Sequence, residues 1–215
     1  MSHLHLPDGI LPLWLVLAGW SVTLLLLFFS LRRARGPGGR AALPRLGFLS
    51  ALMVVAMSAE ILPLPYHLDL SVVAGILLGP SAGFLAAFIV DLVLALLGHG
   101  GLTVIGLNAP ILAIEVVLGS ILFRAMRRRG ISSVLAAAAT TALVLPLSTG
   151  AMVAVVWLAR IDPARLHEGL APPDFSLFLA ITYGLGSIGW LLEATVTAGI
   201  VRYLARVRPG LIEEA

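Results

Sequence analysis

Residues 10–31 form a run of 22 without a single charged side chain. A helix rises about 1.5 Å per residue, so roughly 20 apolar residues cross the hydrocarbon core of a bilayer. Inside that core no water is present to satisfy backbone N–H and C=O groups, so such a run is read as a membrane-spanning helix. The pattern recurs along the chain. Residues 46–62 are broken only by Glu60, and residues 67–78 form a short run ended by Gly79-Pro80-Ser81. Residues 81–97 hold one charge, Asp91, and residues 102–123, 131–159 and 177–201 follow. The expected fold class is therefore an all-α integral membrane protein. It is a bundle of seven transmembrane helices with a short third one, a single domain over residues 1–215. The first run is too long for a signal-peptide core, and no basic segment precedes it, so it is read as a retained span.

Composition supports this reading. Only 12% of the 215 residues are charged, about half the share of a soluble domain. The net charge of +3 and an isoelectric point near 10.2 do not point to nucleic acid. The basic residues, all arginine, stand in short clusters between apolar runs. There is no cysteine, which excludes disulfides, thiol catalysis and zinc–cysteine sites.

Arginine placement sets an expected orientation. Arg32, Arg33, Arg35, Arg40 and Arg45 follow the first run, Arg124, Arg127, Arg128 and Arg129 precede residue 131, and Arg202, Arg206 and Arg208 follow the last run. Seven crossings put these 12 arginines on one side, the cytoplasm, and leave only Arg160 and Arg165 on the other. The N-terminus is then outside, the C-terminus inside, and the location is the cell inner (cytoplasmic) membrane, multi-pass. Six crossings would divide the clusters.

The same topology places all five histidines, His3, His5, His67, His99 and His167, at the outer face. A lone loop histidine is most simply a solvated side chain. Imidazole is also a good ligand for nickel, cobalt, copper and zinc. An N-terminal amine, a deprotonated backbone amide and a nearby imidazole close fused chelate rings that favour square-planar Ni(II) or Cu(II). Met1-Ser2-His3 has this spacing, with histidine third from a free amine.

Several stretches then match one family in order. His5-Leu6-Pro7-Asp8-Gly9 resembles the opening of the CbiM and NikM proteins, cobalt and nickel substrate-capture (S) components of energy-coupling factor (ECF) transporters. His67 lies twelve residues before Gly79-Pro80, like the family's second histidine. Gly98-His99-Gly100-Gly101-Leu102-Thr103 and Gly106-Leu107-Asn108 resemble its (His/Asp)-Gly-Gly-Leu-Thr and Gly-Ala-Asn motifs. Glu193, Thr195 and Arg206-Val207-Arg208-Pro209 resemble its last helix and tail.

The resemblance implies a non-enzymatic subunit that captures Co(II) or Ni(II) at the outer face for ATP-driven uptake. Its N-terminal segment, residues 1–9, folds back onto the bundle. The metal is held by the terminal amine, the amide and imidazole of the family's second residue, and a later histidine. Carried over, these are His5 and His67, with Met1 and His3 as the alternative terminal donors. No resident cofactor is expected. The implied partners are a transmembrane T component and two cytoplasmic ATPase subunits, and a small accessory membrane subunit is a further candidate. No Gly-x-x-x-x-Gly-Lys-(Ser/Thr) motif occurs in the chain itself.

Two departures bear on the ligands. Met1-Ser2-His3-Leu4 precedes His5, whereas the family histidine directly follows the initiator. Removal of Met1 would give Ser2-His3, retention leaves the chelate at His3, and a start at Leu4 would restore the family pattern at His5. The second departure is Pro63-Leu64-Pro65-Tyr66, which stiffens the approach to His67.

Three side chains are expected to support the site without touching the metal. His99 occupies a position that is His or Asp in the family, and both can accept a hydrogen bond from a ligand N–H. Asn108 either cross-links helices or holds the N-terminal segment. Asp8 caps or anchors that segment. Glu60, Asp91, Glu115 and Glu193 fall within runs, where a charge costs at least about 2.5–3.5 kcal/mol. They are read as helix–helix hydrogen bonds or as support for the metal site. The alternatives are an S component for an organic vitamin, which needs an aromatic or polar pocket, and an intramembrane hydrolase. No His-Glu-x-x-His or Gly-x-Ser-x-Gly motif occurs, and Ser148 has no histidine at its depth.

Overall fold

The computed structural model describes residues 8–9, 11–36, 39–59, 66–161 and 174–213. Among these, the elements are α1 (Leu13–Ala34), α2 (Gly39–Ser58), α3 (Ser71–Leu96), α4 (Ile105–Arg128), α5 (Ser133–Leu158), α6 (Phe175–Val207) and the short α7 (Pro209–Glu213). Five of them, α1 and α3 to α6, are long and apolar enough to cross a membrane, and α2 adds a shorter apolar stretch, Ala42–Ser58.

Local chemistry sets the ends. Pro12 is extended (φ −65°, ψ 141°) and its carbonyl accepts from Leu15 N at 3.0 Å, so α1 starts three residues later than its apolar run. Arg32 and Arg33 occupy its last turn, where cations meet the negative end of the helix dipole. Asp174 caps α6 by accepting from Leu177 N and Ser176 Oγ, both at 2.7 Å. Along α1, Leu13, Trp14, Leu17, Leu24, Leu25 and Phe29 are exposed. A stripe of that size is a liability in water and the normal outer face of a helix in lipid.

Helix α3 differs from the two spans expected there. Residues 66–70 are not helical, and the helix begins at Ser71 after Leu70 adopts φ 62°. Inside α3, Gly79 has φ 75° and ψ 178°, a conformation open to glycine and strained for other residues. Pro80 follows and has no N–H to continue the ladder. The chain reverses at this point: a Cβ on Gly83 would lie 2.9 Å from the Ala74 carbonyl oxygen, although nine residues of straight helix would separate them by about 13 Å. The eight residues before the break rise only about 12 Å, so the expected third span is a half-length helix preceded by a non-helical strap.

This hairpin is the centre of the molecule. Gly75 lets the backbone of α3 approach that of Val116 on α4. Met53 of α2, Val73, Phe84 and Val90 of α3, and Ala109 and Val116 of α4 share one buried cluster. The other face of α4 packs on α5, and α5 on α6.

Candidate metal centre

Two non-helical segments meet at one end of the hairpin. The strap, residues 66–70, brings in His67. Residues 97–104, which join α3 to α4, carry His99. The imidazoles stand edge to face, with ring centroids 6.5 Å apart and planes at 88°. His67 is half-buried and His99 exposed.

His99 is placed by the way α3 ends. Gly98 takes φ 86°, its N–H bonds to Ala95 O at 3.1 Å, and His99 N–H bonds to Leu94 O at 2.9 Å. This is the paired closure of a helix whose first residue past the cap is left-handed. It turns His99 back over the hairpin.

The next residues receive the N-terminal segment. Asp8 Oδ1 accepts from Thr103 N at 2.8 Å, Asp8 Oδ2 accepts from Leu102 N at 3.0 Å, and the Thr103 hydroxyl also donates to Oδ1. A Cβ on Gly101 would collide with this carboxylate, so Gly101 is what admits Asp8. The Thr103 hydroxyl first, and the Thr103 and Leu102 amides with it, hold the Asp8 carboxyl below its ordinary pKa. Asp8 is thereby tied to the loop that follows His99. Trp20 Nε1 on α1 donates to Thr103 O at 2.9 Å, which braces the same loop from the other side.

The strap is held from below. Tyr66 Oη donates to Glu193 Oε1 at 3.0 Å, and Asp69 N donates to the same oxygen at 3.0 Å. Asp69 Oδ1 accepts from Ser71 N at 3.0 Å and from the Ser71 hydroxyl, which starts α3. Glu115 takes the Ser148 hydroxyl of α5 and contacts the Asp69 carboxyl. Thus Glu115 links α4 to α5 and contacts the strap, while Glu193 of α6 supports the strap. Asp91 and Asn108, both buried, share a hydrogen bond between α3 and α4.

Met1, His3 and His5, together with Glu60 and His167, lie outside the described residues. Among the described residues no three His, Asp or Glu side chains gather as a metal site. Tyr66 and Asp69, which flank His67, are not among the expected site residues. Their signal is their spacing, one residue before and two after a candidate ligand. The partner, 124 to 127 residues away, leaves no local trace.

Comparison with known proteins places this geometry. The cobalt uptake substrate-specific transmembrane region, CbiM, matches residues 5–211. The chain is 31% identical over 220 residues to an Archaeoglobus fulgidus protein named for fused nickel transport, NikMN, covering 98% of this chain and 68% of that one. It is 28% identical to the cobalt transport protein CbiM of Geobacter sulfurreducens, covering 97% of this chain and 61% of that one. A Haloquadratum walsbyi protein named for metal transport is 29% identical, at 97% and 93% coverage. Crystal structures of a transition metal transporter, one of them truncated, superpose with a TM-score of 0.80 at 20% and 21% identity, each over 94% of this chain and over 99% (truncated) and 93% of the other.

Proposed function

The chain belongs to the CbiM family of transmembrane components for cobalt and nickel uptake, and from that premise we propose that it captures Co(II) or Ni(II) through nitrogen ligands at its N-terminal segment and His67. The family places the chain among metal transporter components rather than enzymes, in a multi-pass membrane protein whose cargo is cobalt or nickel. One observation supports the finer reading. His67 lies edge-on to His99, and the loop carrying His99 is the one that anchors Asp8. His5 precedes Asp8 by three positions in sequence, and in this reading it and the terminal donors Met1 and His3 meet His67 at this end of the hairpin.

The chemistry suits the cargo. An amine, an amide nitrogen and two imidazoles make an all-nitrogen set that favours square-planar Ni(II). Amine and amide must lose protons to bind, so affinity rises with pH as they are released. His99 supports His67 through its ring. Loaded protein would then hand the ion to a T component driven by two ATPase subunits.

The test is a Co(II) and Ni(II) titration of five samples: the native terminus, an acetylated terminus, His3→Ala, His5→Ala and His67→Ala. Acetylation is expected to abolish tight binding. His67→Ala is expected to weaken it by at least about 10-fold, roughly 1.4 kcal/mol. His5→Ala is expected to cost more than His3→Ala. Full affinity in the acetylated sample would remove the amine from the chelate, and full affinity in folded His67→Ala would remove that imidazole.

A further inference from the structure

We infer that Gly189 and Glu193 of α6 form a seat that sets the position of His67, making Glu193 a positioning residue for metal capture. The inference rests on the reading of His67 as a ligand. A non-helical strap inside a membrane bundle has no helical ladder to satisfy its backbone or fix its register. Here both tasks fall to one face of α6. Gly189 and Glu193 are one turn apart and so point the same way. The Tyr66 ring fills the space where a Gly189 Cβ would be, and its hydroxyl reaches Glu193 Oε1 at 3.0 Å. The same oxygen takes Asp69 N at 3.0 Å.

The two attachments bracket His67, one residue before it and two after. Each alone would leave the strap free to pivot, and together they fix both the height and the twist of the backbone between them. Beyond Asp69, the bond from Ser71 N to Asp69 Oδ1 ties the strap to the first turn of the hairpin. Ligand atoms must sit within about 0.2 Å of their ideal distances, and groups that orient a ligand without touching the metal typically contribute 10–100-fold in affinity. The carboxylate charge is not what the seat needs. It needs one oxygen with two lone pairs, which glutamine also has.

The experiment uses the full-length protein in detergent micelles, with Ni(II) affinity and the ligand-field absorption band as readouts. Glu193→Leu is expected to weaken binding about 10–100-fold and shift the band of the residual complex, while Glu193→Gln keeps both near wild type. Gly189→Ala, which displaces the Tyr66 ring, is expected to resemble Glu193→Leu. If Glu193→Leu does not fold, Tyr66→Phe removes only the hydroxyl and is expected to cost about 5-fold. Residues that act through one another are non-additive, so Glu193→Leu should add nothing in a His67→Ala background. Wild-type affinity in Glu193→Leu, or in Tyr66→Phe, would overturn the inference. So would a full further loss on the His67→Ala background. If His67→Ala alone leaves affinity unchanged, the ligand reading itself fails, and the seat has nothing to position.

Discussion

Asp8 shows how one carboxylate ties two distant stretches of chain together. It accepts two backbone amides and a hydroxyl from residues 102–103, and nothing larger than glycine at position 101 would let it in. Its pKa is depressed, chiefly by the Thr103 hydroxyl, which gives the pH dependence a definite sign. A carboxyl held below its unfolded value, about 3.9, stabilises the docked segment above that pH and loses the contribution as pH falls through the folded value. Thermal unfolding of metal-free wild type and Asp8→Ala, followed from neutral pH downward, should show a higher midpoint for wild type. The gap should close in the acid range. A gap that is constant with pH would mean that Asp8 acts through packing and not through its charge. The depression itself follows from Thr103 and the loop amides, 94 and 95 residues away in the chain.

Between elements, α1 completes what Pro110 leaves unfinished in α4. A proline has no N–H for the carbonyl four residues back, which is that of Gly106. The Thr23 hydroxyl, fully buried on α1, donates to Gly106 O at 2.8 Å. Trp20, one turn earlier on the same face, donates to Thr103 O at 2.9 Å, and a Cβ on Gly106 would lie 2.6 Å from its indole ring. Thr23→Val keeps the shape and strands the carbonyl. It is expected to cost about 1 kcal/mol, measured by unfolding in mixed micelles, whereas Thr23→Ser keeps the hydroxyl and should cost less. Equal stability of wild type and Thr23→Val would show that the Gly106 carbonyl finds another donor. The presence of Pro110 marks a freed carbonyl from sequence alone. The identity of its donor depends on how α1 crosses α4.

Across the whole molecule, the hairpin in α3 brings the chain back to the end from which it entered, so His67 and His99 share a face. The arginine clusters then give the orientation to be tested. A reporter fused at the C-terminus should be cytoplasmic, and one in the loop at 160–175 should be external. Both reporters on one side would overturn the seven-crossing topology. The reversal at Gly79 makes that topology possible with a third segment too short to cross as a helix.

The hydropathy pattern was enough to determine an all-helical membrane bundle, because a bilayer leaves the backbone few alternatives. The starts of α1, α5 and α6 lie within three residues of their apolar runs, whereas α2 begins seven residues before its run and α6 ends six after its own, because helical hydrogen bonding continues past the point where apolar residues stop. The ordered motifs around His67, His99 and Asp8 pointed to the family, since each is a short local pattern. Three things were decided only by tertiary structure. The strap at 66–70 is non-helical although its apolar run continues into a helix, and its Tyr66 and Asp69 are held by Gly189 and Glu193 of α6. Glu115 and Glu193 were legible as buried carboxyls, but their shared attachment to the His67 segment was not. Asp8 found its partners in a loop beyond α3. In each case the partner lies far along the chain, and hydrogen bonds act over about 3 Å of space whatever the separation in sequence.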